Sequence, residues 1–350
     1  MRSTVCVHRK HSVKQTGLMV LQYFMMHGTG VPFEDPRMAE LRTRPIANST
    51  FGVEITGLDP VEICDIDPAV IKDVAKHAHG LLCFTFERLL SEAELHALTA
   101  LFGASEYGPG IINGLGKAPL PGEEVLSVAE QVEAVIASGE DPYLVRFGNV
   151  DPETAEHEPT YPEFFGRWSW HTDMSYVEVP PTYSLLHARV VPEQGGDTGF
   201  CDQVAAAAEL PASLRAKVLS LRVKHDATFG SDGSLRPGMT PPDSLIEAEG
   251  YPHPIIRVLP ETGEHALFLG RRLNGYVMDM SLHKSEQLLD ELWTHATQPQ
   301  FCYRHKWRTG QVVAWDNRRL LHMRHPLEKT EGRFMWRTQT KGEAVQAASS

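Results

Sequence analysis

The segment Trp168-Ser169-Trp170-His171-Thr172-Asp173-Met174-Ser175-Tyr176 decides how the rest of this chain is read. On an extended strand residues i and i+2 share a face, so the His171 imidazole and the Asp173 carboxylate project together. A neutral imidazole and a carboxylate, completed by a second histidine, form the facial set that suits non-heme Fe(II) and leaves three coordination positions open. Strands also carry His-x-Asp pairs as plain hydrogen-bonded core residues, so the weight of this one comes from its company. Downstream, Val312-Val313-Ala314-Trp315-Asp316-Asn317 reads as a strand and turn leading to His322, with Arg333 and Arg337 beyond it. The two arginines lie four apart around Phe334-Met335-Trp336, a spacing that on a strand puts both on one face.

Working outward, 350 residues with 42% hydrophobic and 22% charged side chains describe a globular chain with a sizeable core, which excludes disordered, collagenous and coiled-coil classes. Lys plus Arg number 33 against 45 Asp plus Glu, a net charge of −12, so no nucleic-acid partner is expected: phosphate binding needs clustered cations. The five cysteines are odd in number and contain no Cys-x-x-Cys pair, which fits neither a disulfide framework nor a thiolate zinc site and points to a reducing, cytoplasmic location. No apolar run approaches the ~20 residues needed to span a bilayer, and no membrane partner is expected. The first 33 residues carry Arg2, Arg9, Lys10 and Lys14, with the first acid at Glu34. That acid-poor start makes mitochondrial targeting the alternative location; a disordered tail, or a true start at Met25, Met26 or Met38, is the plainer reading.

Residues 1–37 are therefore treated as an extension and 38–345 as one domain with loop insertions, since no repeat or linker cuts the chain. Within it, Phe51 to Ile55 reads as a strand, Pro68 to Ala78 as a helix stopped by Gly80, and Leu81 to Phe86 as a buried strand. Ser91 and Glu94 form a capping box for a second helix ending at Gly103. Residues 104–166, rich in Gly, Pro and acids, read as a long loop. Trp168 to Val191 reads as strands, Asp202 to Leu221 as helical, Ser231 to Gly250 as loop, and Leu288, Leu289, Leu292, Trp293 and Ala296 as one helix face.

His171-Thr172-Asp173, then Pro192 through Gly195-Gly196-Asp197-Thr198, then Trp315-Asp316-Asn317 with His322, Arg333 and Arg337 resemble, in that order, the Fe(II)/2-oxoglutarate dioxygenases of the taurine and 2,4-dichlorophenoxyacetate dioxygenase superfamily. The likeness spans roughly Leu41 to Lys341. It implies a mainly β fold with flanking helices around a double-stranded β-helix, the jelly-roll or cupin-like core. It also implies His171, Asp173 and His322 as iron ligands, and Thr198 and Arg333 as the residues holding the distal carboxylate of 2-oxoglutarate. A guanidinium suits that carboxylate because its planar fork binds it bidentately. His325 is the less apt ligand, given Pro326 beside it and the family spacing.

The expected activity is oxidation of an unactivated C–H bond of a prime substrate, using O2 and converting 2-oxoglutarate to succinate and CO2. A zinc hydrolase on the same three ligands and a catalytically silent β-barrel binding protein are the rivals; the first does not explain Thr198 and Arg333, and intact ligands at all three positions count against the second. Arg337 calls for an anion, and Tyr107, Met174, Tyr176 and Leu273 are the expected apolar and aromatic walls. The substrate is thus expected to be a small organic anion: an alkylsulfonate, a sulfate ester or an aryloxyalkanoate. Taurine itself is not expected, because the likeness to the taurine enzyme is poor near residues 104–110. The resemblance also implies a homo-oligomer, although no stretch of the chain marks an interface.

Overall fold

The computed structural model describes residues 42–109, 127–154, 156–158, 165–236 and 239–349. The N-terminal extension and Pro119-Leu120-Pro121-Gly122 of the long loop lie outside them. In chain order the strands are β1 (Arg42–Pro45), β2 (Val53–Thr56), β3 (Leu81–Thr85), β4 (Val145–Gly148), β5 (Tyr183–Val190), β6 (Thr198–Asp202), β7 (Arg222–Asp226), β8 (Gly250–Pro254), β9 (Ile256–Val258), β10 (His265–Leu267), β11 (Tyr276–Val277), β12 (Cys302–His305), β13 (Gln311–Asp316), β14 (Leu320–Arg324), β15 (Phe334–Gln339) and β16 (Gln346–Ala347). The helices are α1 (Pro68–His77), α2 (Glu92–Ala100), α3 (Val128–Ala137), α4 (Gln203–Ala208), α5 (Ala212–Val218) and α6 (Leu282–Ala296).

A seven-stranded sheet in the order β1-β2-β3-β13-β5-β15-β4 faces a three-stranded sheet, β12-β6-β14, and two further three-stranded sheets complete the β structure. The central strands of the large sheet are buried on both faces, which is why Leu81-Leu82-Cys83-Phe84 and Val312-Val313-Ala314-Trp315 read as unbroken apolar runs. Their side chains sort by the two-residue period of a strand. Leu82, Phe84, Val312 and Ala314 point outward against Ile71 and Ala75 of α1 and Leu95 and Leu98 of α2. Leu81, Cys83, Val313 and Trp315 point inward, where they meet Leu186, Ala188 and Met335 of the same sheet and Phe200 and Leu320 of the facing one. On the far side, Cys201 and Leu321 pack against α4, α5 and the Leu288, Leu289, Leu292 and Trp293 face of α6. The result is helix, sheet, sheet, helix, and each large side chain fully buried between layers stabilises it by about 1.5–3 kcal/mol relative to exposure.

Three segments differ from their sequence reading. Residues 168–182 are turns and single pairings, and only Tyr183–Val190 is a strand. The chain reverses at Met174, which takes a left-handed φ of 47°, with the Val177 amide donating to the Met174 carbonyl at 3.2 Å. The 104–166 stretch contains α3 and β4. Ser127 and Glu130 form a capping box there, the Glu130 carboxylate accepting from the Ser127 amide at 2.7 Å. That signal is present in the sequence but sits among Gly, Pro and acidic residues. Between Asp202 and Leu221 the helix breaks into α4 and α5 at Pro211, which has no amide hydrogen to continue it.

Gly80 follows α1 with φ +80°, and its amide donates to the Ala75 carbonyl, closing the helix before β3. A Cβ there would come within 2.7 Å of the Asp316 Cβ. Gly80→Ala is therefore expected to cost about 1–3 kcal/mol of unfolding free energy, read from urea denaturation midpoints; an unchanged midpoint would contradict the close packing of this turn against β13.

Candidate active site

His171 and His322 are held side by side by the backbone. Each donates its amide hydrogen to the other's carbonyl at 2.9 Å, and the ring centroids lie 4.2 Å apart. On the other flank the Thr172 amide donates to the Gly270 carbonyl at 3.0 Å, so His171 sits between β14 and the Gly270-Arg271 segment. The His171 Nδ1 donates to the Ser169 carbonyl at 2.7 Å, which leaves Nε2 with its lone pair free. Asp173 reaches the same spot from the turn rather than from a strand, its Oδ1 lying 3.7 Å from His322 Nε2 and 4.0 Å from His171 Nε2. Ligand atoms from His171, Asp173 and His322 all fall within 4.8 Å of one another, the arrangement one ion requires.

Burial and the adjacent His322 push the His171 pKa down to about 3, and burial lowers that of His322. Both rings are thus neutral and able to bind a metal at neutral pH. Burial alone would raise the Asp173 pKa, but the Arg337 guanidinium, helped by the Ser184 hydroxyl, outweighs it and holds the carboxyl well below the usual range. A chain of hydrogen bonds fixes its other oxygen. Ser184 Oγ donates to Asp173 Oδ2 at 2.7 Å, Asn317 Nδ2 to Ser184 Oγ at 2.9 Å, and Trp315 Nε1 to Asn317 Oδ1 at 3.0 Å. The Trp315-Asp316-Asn317 motif acts through this relay, while Asp316 turns away to Arg318 at 2.8 Å.

A cavity of about 240 Å³ is lined by His171 and Asp173 and also by Met174, Tyr176, Trp168, Arg271 and Arg337, while His322, Thr198 and Arg333 lie outside its lining. Arg337 Nη1 faces Asp173 Oδ1 at 3.4 Å. Two expected walls lie outside this lining: Leu273 is 41% exposed, and Tyr107 stacks on Tyr143 at 4.7 Å with its carbonyl accepting from Gln339. Arg333 is 2% exposed, and its Nε and Nη1 have no hydrogen-bond partner among the described residues. Burial and the neighbouring Arg324 lower its pKa to about 9, so it remains a cation at neutral pH. Gly196 makes room for it, since a Cβ there would lie 3.3 Å from Arg333 Cδ. Thr198 Oγ1 accepts from Trp307 Nε1 at 3.0 Å, which leaves its own proton for another acceptor. Arg271, Arg324 and the Ser184–Asn317 relay escaped the sequence reading. Their positions depend on pairings between segments far apart in the chain, and no local spacing signals them.

Converging His, Asp and His side chains, with the Arg337 guanidinium 3.4 Å from the Asp173 carboxylate, mark the class of non-heme metal enzymes. A sequence profile described as "Taurine catabolism dioxygenase TauD, TfdA family" matches residues 42–339, and the chain belongs to that family. It is 29% identical to an (S)-phenoxypropionate/alpha-ketoglutarate dioxygenase of Sphingobium herbicidovorans over 85% of this chain and 93% of that protein. It is 35% identical to an alpha-ketoglutarate-dependent sulfate ester dioxygenase of Pseudomonas putida over 50% of this chain and 60% of that one. A crystal structure of a taurine dioxygenase from Burkholderia xenovorans superposes with a TM-score of 0.59 at 26% identity, covering 87% of this chain and 92% of the other.

Ser184→Ala removes the donor to Asp173 Oδ2 and the acceptor of Asn317 Nδ2. A loss of about 10–100-fold in divalent-metal affinity is expected, measured by Mn(II) titration followed by electron paramagnetic resonance; unchanged affinity would show that the relay does not orient Asp173.

Proposed function

We propose that the chain is an Fe(II)- and 2-oxoglutarate-dependent dioxygenase that hydroxylates a small organic anion and releases succinate and CO2. The observation that carries it is Arg333: a buried guanidinium with unpartnered donors, one residue before β15 and in register with Met335 and Arg337, in a chain that also holds a His–Asp–His centre. Burying such a cation without an anion is costly, and a dicarboxylate bound through its other end at the metal supplies the missing partner. A zinc hydrolase on the same three ligands has no use for it. In this reading the two sheets facing each other across Trp315 and Phe200 form a double-stranded β-helix core.

In this reading His171 Nε2, His322 Nε2 and an Asp173 oxygen would hold iron. When bound, the iron and the 2-oxo acid would activate O2, the oxidant, one oxygen atom going to the succinate left by decarboxylation and the other to the substrate C–H. Arg333 pairs with the distal carboxylate of 2-oxoglutarate, and Thr198 donates its free hydroxyl proton to it. Arg337 balances Asp173 through one nitrogen and presents the rest of its guanidinium to the cavity, where it holds the substrate anion. Met174 and Tyr176 pack against the apolar body. His171 and His322 are each 8% exposed and Asp173 is 6% exposed, so the centre is closed to bulk water except through the cavity. An alkylsulfonate, an alkyl sulfate ester and an aryloxyalkanoate all fit an Arg337 clamp with these walls, in keeping with relatives named for phenoxypropionate and sulfate esters.

Anaerobic addition of Fe(II) and 2-oxoglutarate is expected to give the weak visible charge-transfer band of a chelated 2-oxo acid, and His171→Ala to abolish it. Metal binding without that band would favour the hydrolase. Arg333→Gln is expected to raise the apparent KM for 2-oxoglutarate by about 10–100-fold, the cost of one charge-assisted pair; an unaltered KM would remove Arg333 from the cosubstrate site.

A further inference from the structure

Arg271 lines the same cavity as the His–Asp–His centre, yet nothing so far uses it. It is 7% exposed, and its Cα pairs with that of His171 on the side opposite His322. Only one of its nitrogens is engaged: Nη2 donates to Asp226 Oδ2 at 2.9 Å, while Nε and Nη1 have no partner among the described residues. The Asp226 carboxylate is shared with the backbone, its Oδ1 accepting from the Thr228 amide at 3.0 Å and its Oδ2 also from the Phe229 amide at 3.2 Å. Asp232, the other acid on this side of the cavity, uses its Oδ1 on the Ser234 amide at 3.0 Å and the Ser234 hydroxyl at 2.7 Å and makes no hydrogen bond to Arg271. A guanidinium this buried with donors to spare lacks an acceptor. The aromatic wall next to it is fixed in place, with the Arg236 guanidinium 3.9 Å from the Tyr176 ring centre.

We propose that Arg271 is a second anion-holding residue of the prime-substrate cavity, taking a carboxylate, sulfonate or sulfate oxygen on the flank of His171 opposite His322. The proposal rests on the dioxygenase reading above and adds a specificity determinant to it. Arg337 approaches the centre from the Asp173 side and Arg271 from the Gly270 side, so an anionic head seated between them is held from two directions. Its apolar body then lies along Met174 and Tyr176. Such a two-sided hold discriminates by charge, because a neutral substrate of the same shape would leave the spare guanidinium donors of both arginines without a charged acceptor.

The test is calorimetric binding to the anaerobic Fe(II)–2-oxoglutarate protein, with succinate release scored separately. The probes are (S)-2-phenoxypropionate, hexyl sulfate and hexanesulfonate, and the primary amide of the first serves as a neutral match. The wild-type chain is expected to favour the acid over its amide. Arg271→Gln is expected to cut that preference by about 10–100-fold, and Arg271→Lys to restore part of it. A residue serving only as counter-ion to Asp226 would lower the thermal midpoint in both variants and leave the acid-to-amide ratio intact, which overturns the proposal. Failure of the wild type to bind any of the three anions also overturns it. Binding with the expected variant ratios but no succinate release leaves the Arg271 assignment standing and overturns the dioxygenase reading instead.

Discussion

The two-way backbone pairing of His171 with His322 is the constraint on which the centre depends. It ties a turn-rich segment with no ladder of its own to β14, an interior strand edge fixed by its pairing with β6. Without it, His171 and Asp173 would sit on fifteen residues of irregular chain ahead of β5, and ordering those residues around an ion would cost conformational entropy at every binding event. With it, both imidazoles are preset by main-chain hydrogen bonds, which no side-chain rotation can undo. Asp173 is then the adjustable ligand, and the Trp315–Asn317–Ser184 relay limits that adjustment.

Charge placement separates structural arginines from those that wait for a ligand. Arg318 and Arg319 are both buried, but Arg318 is forked onto Asp316 and Glu261, and Arg319 is bonded to Glu264. Their charges are cancelled within the protein, and they brace the turn between β13 and β14. Arg333 and Arg271 are buried with N–H donors to spare, and the Arg271 backbone pairs with His171. Such unused buried donors are costly unless an acceptor arrives to take them. The uneven satisfaction of equally buried arginines therefore marks the binding surfaces more sharply than burial or net charge does, in a chain whose overall charge of −12 would by itself repel anions.

Much of this was legible in the sequence where one residue's neighbours in the chain dictate its surroundings. The capping box at Ser91, the Pro68 start and Gly80 stop of α1, and the doubly buried runs of β3 and β13 are all local patterns, and each appears as read. His171, Asp173 and His322 could be picked out by type and order, but the reason first given for the His-x-Asp pair holds only in part. His171 is paired on both sides as in extended chain, but the pairing is of single residues and the chain turns at Met174 directly after Asp173, so the pair ends a short extended stretch and not a regular strand. The Arg333–Arg337 spacing fares better, because the irregularity between β15 and β5 falls where Phe334 pairs with Val190 and Met335 with Ala188, which leaves Arg189 as the extra residue on β5 and the alternation of β15 intact. Arg271 and Leu273 show the limit: two residues apart on an irregular segment, one lines the cavity and the other is exposed, and no periodicity separates them.

The parts of the site therefore divide by mechanical support. His322, Arg333 and Arg337 lie on or beside interior strands packed between two layers of apolar side chains, where a displacement of one ångström would disturb Phe200, Met335 or Trp315. Met174, Tyr176, Asp232 and Arg236 come from turns between strands, where changes of length and side chain cost little packing. Chemistry that must keep its geometry is carried by the rigid part, and contacts that choose the substrate by the part that can vary. That division accounts for relatives with names as different as phenoxypropionate and sulfate ester dioxygenases matching one profile. Arg271 stands at the boundary between the two: its backbone is pinned to His171, and its guanidinium is held by an aspartate at the end of β7. A residue placed this way can select an anion with nearly the positional precision of the metal ligands while belonging to the variable wall.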